Sequence, residues 1–197
     1  RDNHLIIGIT GGSGSGKTTL LNVIRDAGGL VLDCDAIYHE LLKTDEKMLQ
    51  AIAGRFPDAI ENGVLNRKKL GAIVFADENA LQDLNRITHA AVKQAVLSAI
   101  PPIPTLVAID AIGLFEGELA ELCDVTVAVT APKDDRIRRL MARDGISEEY
   151  ARNRIDAQHP DHWFRSKCDY TLENDGKLDA FATKCLAFLR QAAIMEA

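Results

Sequence analysis

Gly11-Gly12-Ser13-Gly14-Ser15-Gly16-Lys17-Thr18 satisfies the pattern G-x-x-x-x-G-K-[ST] at every fixed position. The residue types suit a polyphosphate. Glycines let the backbone curl so that successive N–H groups converge on one anion. A helix opening at Lys17 turns its positive dipole end toward the same anion. The lysine reaches the β- and γ-phosphates of a nucleoside triphosphate, and the Thr18 hydroxyl ligates Mg²⁺. The apolar run Leu5–Thr10 precedes the loop and a helical pattern follows it. That strand–loop–helix setting separates the motif from a chance glycine-rich turn. It implies ATP and Mg²⁺ without naming a reaction, because GTPases, motor ATPases and kinases share it. No N-K-x-D is present for guanine, and no run of four apolar residues ends in Asp-Glu. A short chain with a helical insertion favours a nucleotide or metabolite kinase.

Other residues could take part. Asp33 and Asp35 follow the second apolar run, and ligands gather at the carboxyl ends of strands in an open parallel sheet. Both are expected at the sheet edge that carries the loop. One carboxylate could hold Mg²⁺ while the other accepts the proton of an attacking hydroxyl. Equally, either could cap the helix that begins near Ala36. Arg136, Arg139 and Arg143 have spacings of three and four, which put them on one helix face. Such a face could close over a transferring phosphoryl as a lid, or be a solvated face paired with Asp134, Asp135 and Asp144. Asp110 ends the third apolar run, where a carboxylate could hold Mg²⁺ or cap a turn. Glu116 could orient acceptor or lid groups, or equally be a helix-terminal carboxylate. Arg67 and His89 could hold acceptor phosphates or the acceptor's adenine, though a lone Arg or His in a polar helix is more often a surface residue. His159, Pro160, His162 and Trp163 match no metal pattern and read as lid-hinge residues.

The elements that must position these residues follow from short, regularly spaced apolar runs. Leu5–Thr10, Leu30–Leu32, Thr105–Ile109 and Val125–Thr130 read as buried parallel strands, with Cys168–Leu172 as a fifth. Helices between them imply βαβ units. The first helix is expected over about Lys17–Ala27, stopping at Gly28-Gly29. The stretch from Asp33 to Ile100 is too long for one crossover. It shows helical periodicity at Ala36–Lys43, Asp45–Arg55, Arg67–Phe75 and Asn79–Ile100, closed by Pro101, Pro102 and Pro104. Pro132–Arg165 is a second helical, arginine-rich insertion, and Gly176–Glu196 a closing helix. The 197 residues carry a net charge of −6, which disfavours a general nucleic-acid binder. Cys34, Cys123, Cys168 and Cys185 form no C-x-x-C pair, so free thiols in a reducing compartment are expected. No leader pattern and no apolar stretch of about 20 residues is evident, so a cytoplasmic chain with no membrane partner is expected.

In order along nearly the whole chain, the motifs resemble the dephospho-CoA kinases. Thr10–Thr18 is similar to T-G-G-I-G-S-G-K-[ST], with Ser13 in place of isoleucine. Asp33-Cys34-Asp35 resembles D-A-D, which implies Asp35 as the catalytic base. Gly63–Phe75, Leu114-Phe115-Glu116, Arg139 with Arg143, Arg154-Ile155-x-x-Gln158 and Asn174 with Gly176 resemble later family motifs. His39 stands for the usual arginine, Ala90 for proline after His89, and Ile112-Gly113 for Pro-Leu. The resemblance implies an α/β P-loop NTPase fold with a parallel five-stranded sheet. It implies a core at 1–35, 101–131 and 166–197, a CoA-binding helical lobe at 36–100, and a lid at 132–165. The implied reaction is phosphorylation of the ribose 3′-hydroxyl of dephospho-CoA by a monomer. Lys17, Asp35, Arg139 and Arg143 would be catalytic. Gly12, Ser13, Gly14, Ser15, Gly16, Lys17, Thr18, Thr19 and Asn174 would hold the nucleotide. Asp33, Arg67, His89 and Glu116 would hold the acceptor, and Thr18 and Asp110 the metal. A kinase of another small alcohol, such as a nucleoside or sugar acid, and a non-catalytic nucleotide-binding module are the alternatives.

Overall fold

The computed structural model describes residues 4–103 and 105–195. Along the chain the elements run β1 (Leu5–Thr10), α1 (Lys17–Asp26), β2 (Leu30–Asp33), α2 (Cys34–Thr44), α3 (Glu46–Arg55), β3 (Ile60–Glu61), β4 (Val64–Leu65), α4 (Arg67–Ala76) and α5 (Glu78–Ala99). They continue with β5 (Leu106–Asp110), β6 (Val125–Thr130), α6 (Lys133–Asp144), α7 (Glu148–Asp156), α8 (Asp161–Lys167), β7 (Tyr170–Glu173) and α9 (Leu178–Met195). The chain divides into two compact units, Arg1–Leu32 with Ile100–Ala197, and Asp33–Ala99.

The first unit is built on a five-stranded sheet of order β2-β5-β1-β6-β7. β1 runs parallel to both β5 and β6, and β6 parallel to β7. Ile7–Thr10 and all of β6 are buried, so these strands are covered on both faces and read as unbroken apolar runs. α1 and α9 pack Leu20, Ile24, Phe181, Cys185 and Phe188 against Ile7, Ile9, Val127 and Val129. Ile137 and Leu140 of α6 pack on Ala151 and Ile155 of α7. The registers set Ile9 opposite Asp110, Thr10 opposite Ala128 and Thr130 opposite Glu173. The carboxyl ends of β1, β5, β6 and β7 therefore share one edge, with the 11–16 loop leaving from its middle.

The second unit is a helical body around Met48, Ile52, Phe56, Leu70, Val74 and Leu84. It also contains a hairpin, β3 with β4, that the sequence reading did not anticipate. Asn62 and Gly63 both have positive φ, 52° and 77°, as the two central residues of a type I′ turn require.

Element ends differ from expectation for local reasons. α2 starts at Cys34 rather than Ala36, because Asp33 Oδ1 accepts the N–H groups of Asp35 and Ala36 and caps the helix at once. β7 starts at Tyr170 rather than Cys168. Cys168 N still donates to Phe164 O at the end of α8, and Asp169 is engaged with Thr126. α1 ends at Asp26, and α5 runs Glu78–Ala99, ending two residues before Pro101. Pro104 and Glu196, included in the expected helix stop and closing helix, lie outside the described residues. Among the described residues no helix is long and apolar enough to cross a membrane.

Candidate active site

The loop between β1 and α1 owes its shape to donors that hold its carbonyls. Gly11 O accepts from Lys17 Nζ at 3.1 Å, and Gly12 O from Ser15 N at 3.3 Å. Ser13 O accepts from Arg136 Nε, Gly14 O from Arg139 Nη1 and Ser15 O from Asn174 Nδ2, each at 3.0 Å. Gly16 O accepts from Thr19 N at 3.2 Å. Every carbonyl from Gly11 to Gly16 thus has a protein donor. In a trans peptide the next N–H points the opposite way, so tying these carbonyls aims the N–H groups of Gly14, Gly16 and Lys17 away from those donors. This is the geometry of an anion nest. A Cβ on Gly12 would lie 1.9 Å from Arg136 Nη2, and one on Gly16 2.2 Å from Asn174 Nδ2. Only glycine fits so close to those side chains.

Sheet registry brings charged groups to the same edge. Lys17 Nζ lies 3.8 Å from Asp110 Oδ1, both side chains 16% exposed. Thr18 is exposed at the second position of α1. Thr10 Oγ1 donates to Ile112 O at 3.1 Å, fixing the chain after β5 beside the loop. Among the described residues Ser15 Oγ is a buried side-chain oxygen without a hydrogen-bond partner. The orphaned hydroxyl, the tied carbonyls and the lysine–carboxylate pair fit a nucleotide polyphosphate and its hard cation, which takes oxygen ligands.

The expected arginine face splits into three fates. Arg136 is 4% exposed and reaches the loop; burial pulls its pKa down, opposed by the Asp161 carboxylate 3.3 Å from Nη1. Burial also pushes the Asp161 carboxyl above its ordinary value, against the pull of Arg136. Arg139 is half-buried on Gly14 O, its pKa lowered by burial and by Arg138. Arg143 is exposed and bonded to Asp144, which Arg154 also engages at 2.8 Å. Those two arginines hold the Asp144 carboxyl down at about 2. Arg138 pairs with Asp135. Arg138 and Arg143 are each exposed in an ion pair, while Arg136 and Arg139 meet the loop.

Gln158 is the residue the sequence reading left out of the site. Its amide engages Ser13 twice, and the two are 145 positions apart. Arg136 was grouped with its neighbours by spacing, but its burial had no sequence signal. Asn174 is 6% exposed and serves the loop through Ser15 O. Glu116 is exposed, 3.8 Å from His159 Nε2, and His159 stacks on Trp163 with centroids 3.7 Å apart.

Of the acceptor-side candidates, Asp33, Arg67 and His89 lie in the helical unit with Asp35, whereas Glu116 lies in the sheet unit. Asp33 is the N-cap of α2, and Asp35 lies in that helix's first turn with its carboxylate 86% exposed. His39 Nδ1 lies 2.8 Å from Asp35 O. Tyr38, which the sequence reading passed over, has its pKa raised by burial. The Arg67 charge works against that rise and the Asp35 charge adds to it. Arg67 is exposed at the start of α4, and His89 is half-buried on α5.

A parallel sheet with this loop after its central strand, braced by an arginine helix, is the architecture of the P-loop kinases. The family described as Dephospho-CoA kinase matches residues 5–180. A Dephospho-CoA kinase of Geobacillus kaustophilus is 35% identical over 198 residues, covering 98% of this chain and 98% of its own. One of Syntrophotalea carbinolica is 34% identical, covering 94% of this chain and 90% of its own. A crystal structure from Thermus thermophilus superposes with a TM-score of 0.78 at 35% identity, covering 96% of this chain and 98% of that one. The chain belongs to the dephospho-CoA kinase family.

Proposed function

We propose that this chain transfers the γ-phosphoryl of ATP to the ribose 3′-hydroxyl of dephospho-CoA, yielding ADP and CoA, the last step of CoA biosynthesis. The observation that carries the nucleotide half is the loop with every carbonyl from Gly11 to Gly16 tied to a donor. The acceptor half is supported by the family and by the carboxylate, phenol and guanidinium of Asp35, Tyr38 and Arg67 in the helical unit.

Each residue's role follows from its chemistry. Gly12–Thr19 bind the phosphates, and Asn174 keeps the loop shaped. Lys17 neutralises charge on the β- and γ-phosphates. Asp35, open to solvent, accepts the hydroxyl proton as the oxygen–phosphorus bond forms and the β–γ bridging bond breaks, leaving ADP. Residues 36–100 serve as the CoA-binding lobe, with Asp33, Arg67, His89 and Glu116 as acceptor contacts. Residues 132–165 serve as the lid. Arg139 is the lid arginine of first choice for the phosphoryl. Arg143 joins it only by leaving Asp144. Thr18 and Asp110 would hold Mg²⁺, which shields phosphate charge when bound. The chain acts as a monomer on small molecules.

The test is ADP release from Mg-ATP with and without dephospho-CoA, for the wild type and Asp35→Asn. Turnover should depend on dephospho-CoA and fall about 10²- to 10⁴-fold in the variant, the usual contribution of a general base. ADP release that ignores dephospho-CoA, while another alcohol stimulates it, would overturn the acceptor assignment.

A further inference from the structure

Ser13 is held at each of its polar positions by two residues from the far end of the unit. Its N–H donates to Gln158 Oε1 at 2.9 Å, and its hydroxyl accepts from Gln158 Nε2 at 2.7 Å. Its carbonyl accepts from Arg136 Nε at 3.0 Å. One amide therefore presents its acceptor and its donor to the same residue. Arg136 ties the clamp together, because its Nη2 lies 3.4 Å from the same Gln158 Oε1 and its Nη1 3.3 Å from Asp161. Ser13 and Arg136 are buried, at 8% and 4% exposure, and Gln158 is half-buried.

The consequence is conformational. The N–H of Ser13 belongs to the peptide before it and the carbonyl to the peptide after it. Fixing both fixes the planes of two successive peptides at the entry to the nest. The exit is fixed separately, by Asn174 on Ser15 and by the first turn of α1. A loop left unbraced at its entry must be ordered when phosphate binds, and that ordering is subtracted from affinity. Gln158 lies at the loop's outer wall, with both ends of its amide spent on Ser13.

We propose that Gln158, locked by Arg136, is a positioning residue that clamps Ser13 and holds the phosphate loop in its binding shape before the nucleotide arrives. The proposal rests on the phosphate-binding part of the functional reading and is independent of the acceptor. Its effect falls on nucleotide affinity more than on phosphoryl transfer, because a filled loop is ordered by the phosphates themselves.

The experiment measures Mg-ADP binding by titration calorimetry, with steady-state kinetics in ATP and dephospho-CoA, for Gln158→Met, Ser13→Ala and the double variant. Gln158→Met should weaken ADP binding about three- to tenfold, the scale of one or two neutral hydrogen bonds. The KM for ATP should rise in step, by more than kcat falls, with the KM for dephospho-CoA unmoved. Ser13→Ala removes only the hydroxyl half and should weaken ADP binding less. Gln158→Met should cost less in the Ser13→Ala background than alone, since the two residues share the interaction. Wild-type ADP affinity in Gln158→Met, with only a lower melting temperature, would show a purely structural role and overturn the proposal. So would equal effects of Gln158→Met with and without the Ser13 hydroxyl. If Gln158→Met does not fold, unchanged ADP affinity in Ser13→Ala alone overturns it. A wild type that binds Mg-ADP but leaves dephospho-CoA untouched refutes the acceptor assignment and leaves the clamp measurable.

Discussion

Replacing Gly16 by alanine tests whether the loop is shaped by the side chains around it. Gly16 has φ 95° and ψ 25°, a left-handed conformation. Forcing an L-residue there costs about 1–2 kcal/mol. The new Cβ would also lie 2.2 Å from Asn174 Nδ2. Asn174 has little room to retreat, since it is 6% exposed and its own N–H is bonded to Thr130 O at 2.7 Å. Moving its amide breaks the bond to Ser15 O and leaves a buried carbonyl unsatisfied, about 1–3 kcal/mol. Gly16→Ala should therefore destabilise by about 2–5 kcal/mol, a large part of the roughly 5–15 kcal/mol that holds a domain together.

The two contributions separate in a double variant. Asn174→Ala alone leaves the carbonyl orphaned and costs about 1–3 kcal/mol. In that background the clash is gone, so Gly16→Ala adds only its backbone strain of about 1–2 kcal/mol. Equilibrium urea unfolding of the four proteins reads this directly. Gly16→Ala should be less costly when Asn174 is already alanine. Strict additivity would refute the reasoning, because it would mean that Asn174 and Gly16 do not meet.

Two further outcomes follow from the arginine helix. Asp144 is held down to about 2 by hydrogen bonds from Arg143 and Arg154. A depressed carboxylate stabilises the fold above its ordinary value of 3.8, and this is lost as pH falls toward 2. The urea midpoints of wild type and Asp144→Asn should thus differ most above about pH 4 and converge toward pH 2. A gap that widens on acidification would be the wrong sign. Arg139→Ala should lower kcat/KM for ATP about 10²-fold, the scale for losing one charge-stabilising donor. Arg143→Ala, which breaks an exposed pair, should cost less than about tenfold. The opposite ranking in the ADP-release assay would make Arg143 the lid arginine.

What the sequence discloses here depends on how far apart the interacting residues are. The central strands were legible because burial on both faces writes them as unbroken apolar runs, and β1 and β6 begin and end where the runs do. The phosphate loop was legible because its pattern is contiguous. Asp33 as a cap was one of two open readings, and a two-residue hydrogen bond selects it without excluding an acceptor contact. The hairpin at Asn62-Gly63 carries a contiguous signal of its own, the Asn-Gly pair that a type I′ turn favours. By contrast, the donors that shape the loop come from 123, 125, 145 and 159 positions away, and no spacing rule reaches that far. The arginines show the limit most sharply. Spacing correctly groups Arg136, Arg139 and Arg143 on one face of α6, but a face has length as well as direction. Seven residues at 1.5 Å each set Arg143 about 10 Å further along the axis than Arg136. Only the amino-terminal part of that face abuts the loop, so the same periodicity delivers a buried brace, a half-buried contact and a solvated ion pair in turn.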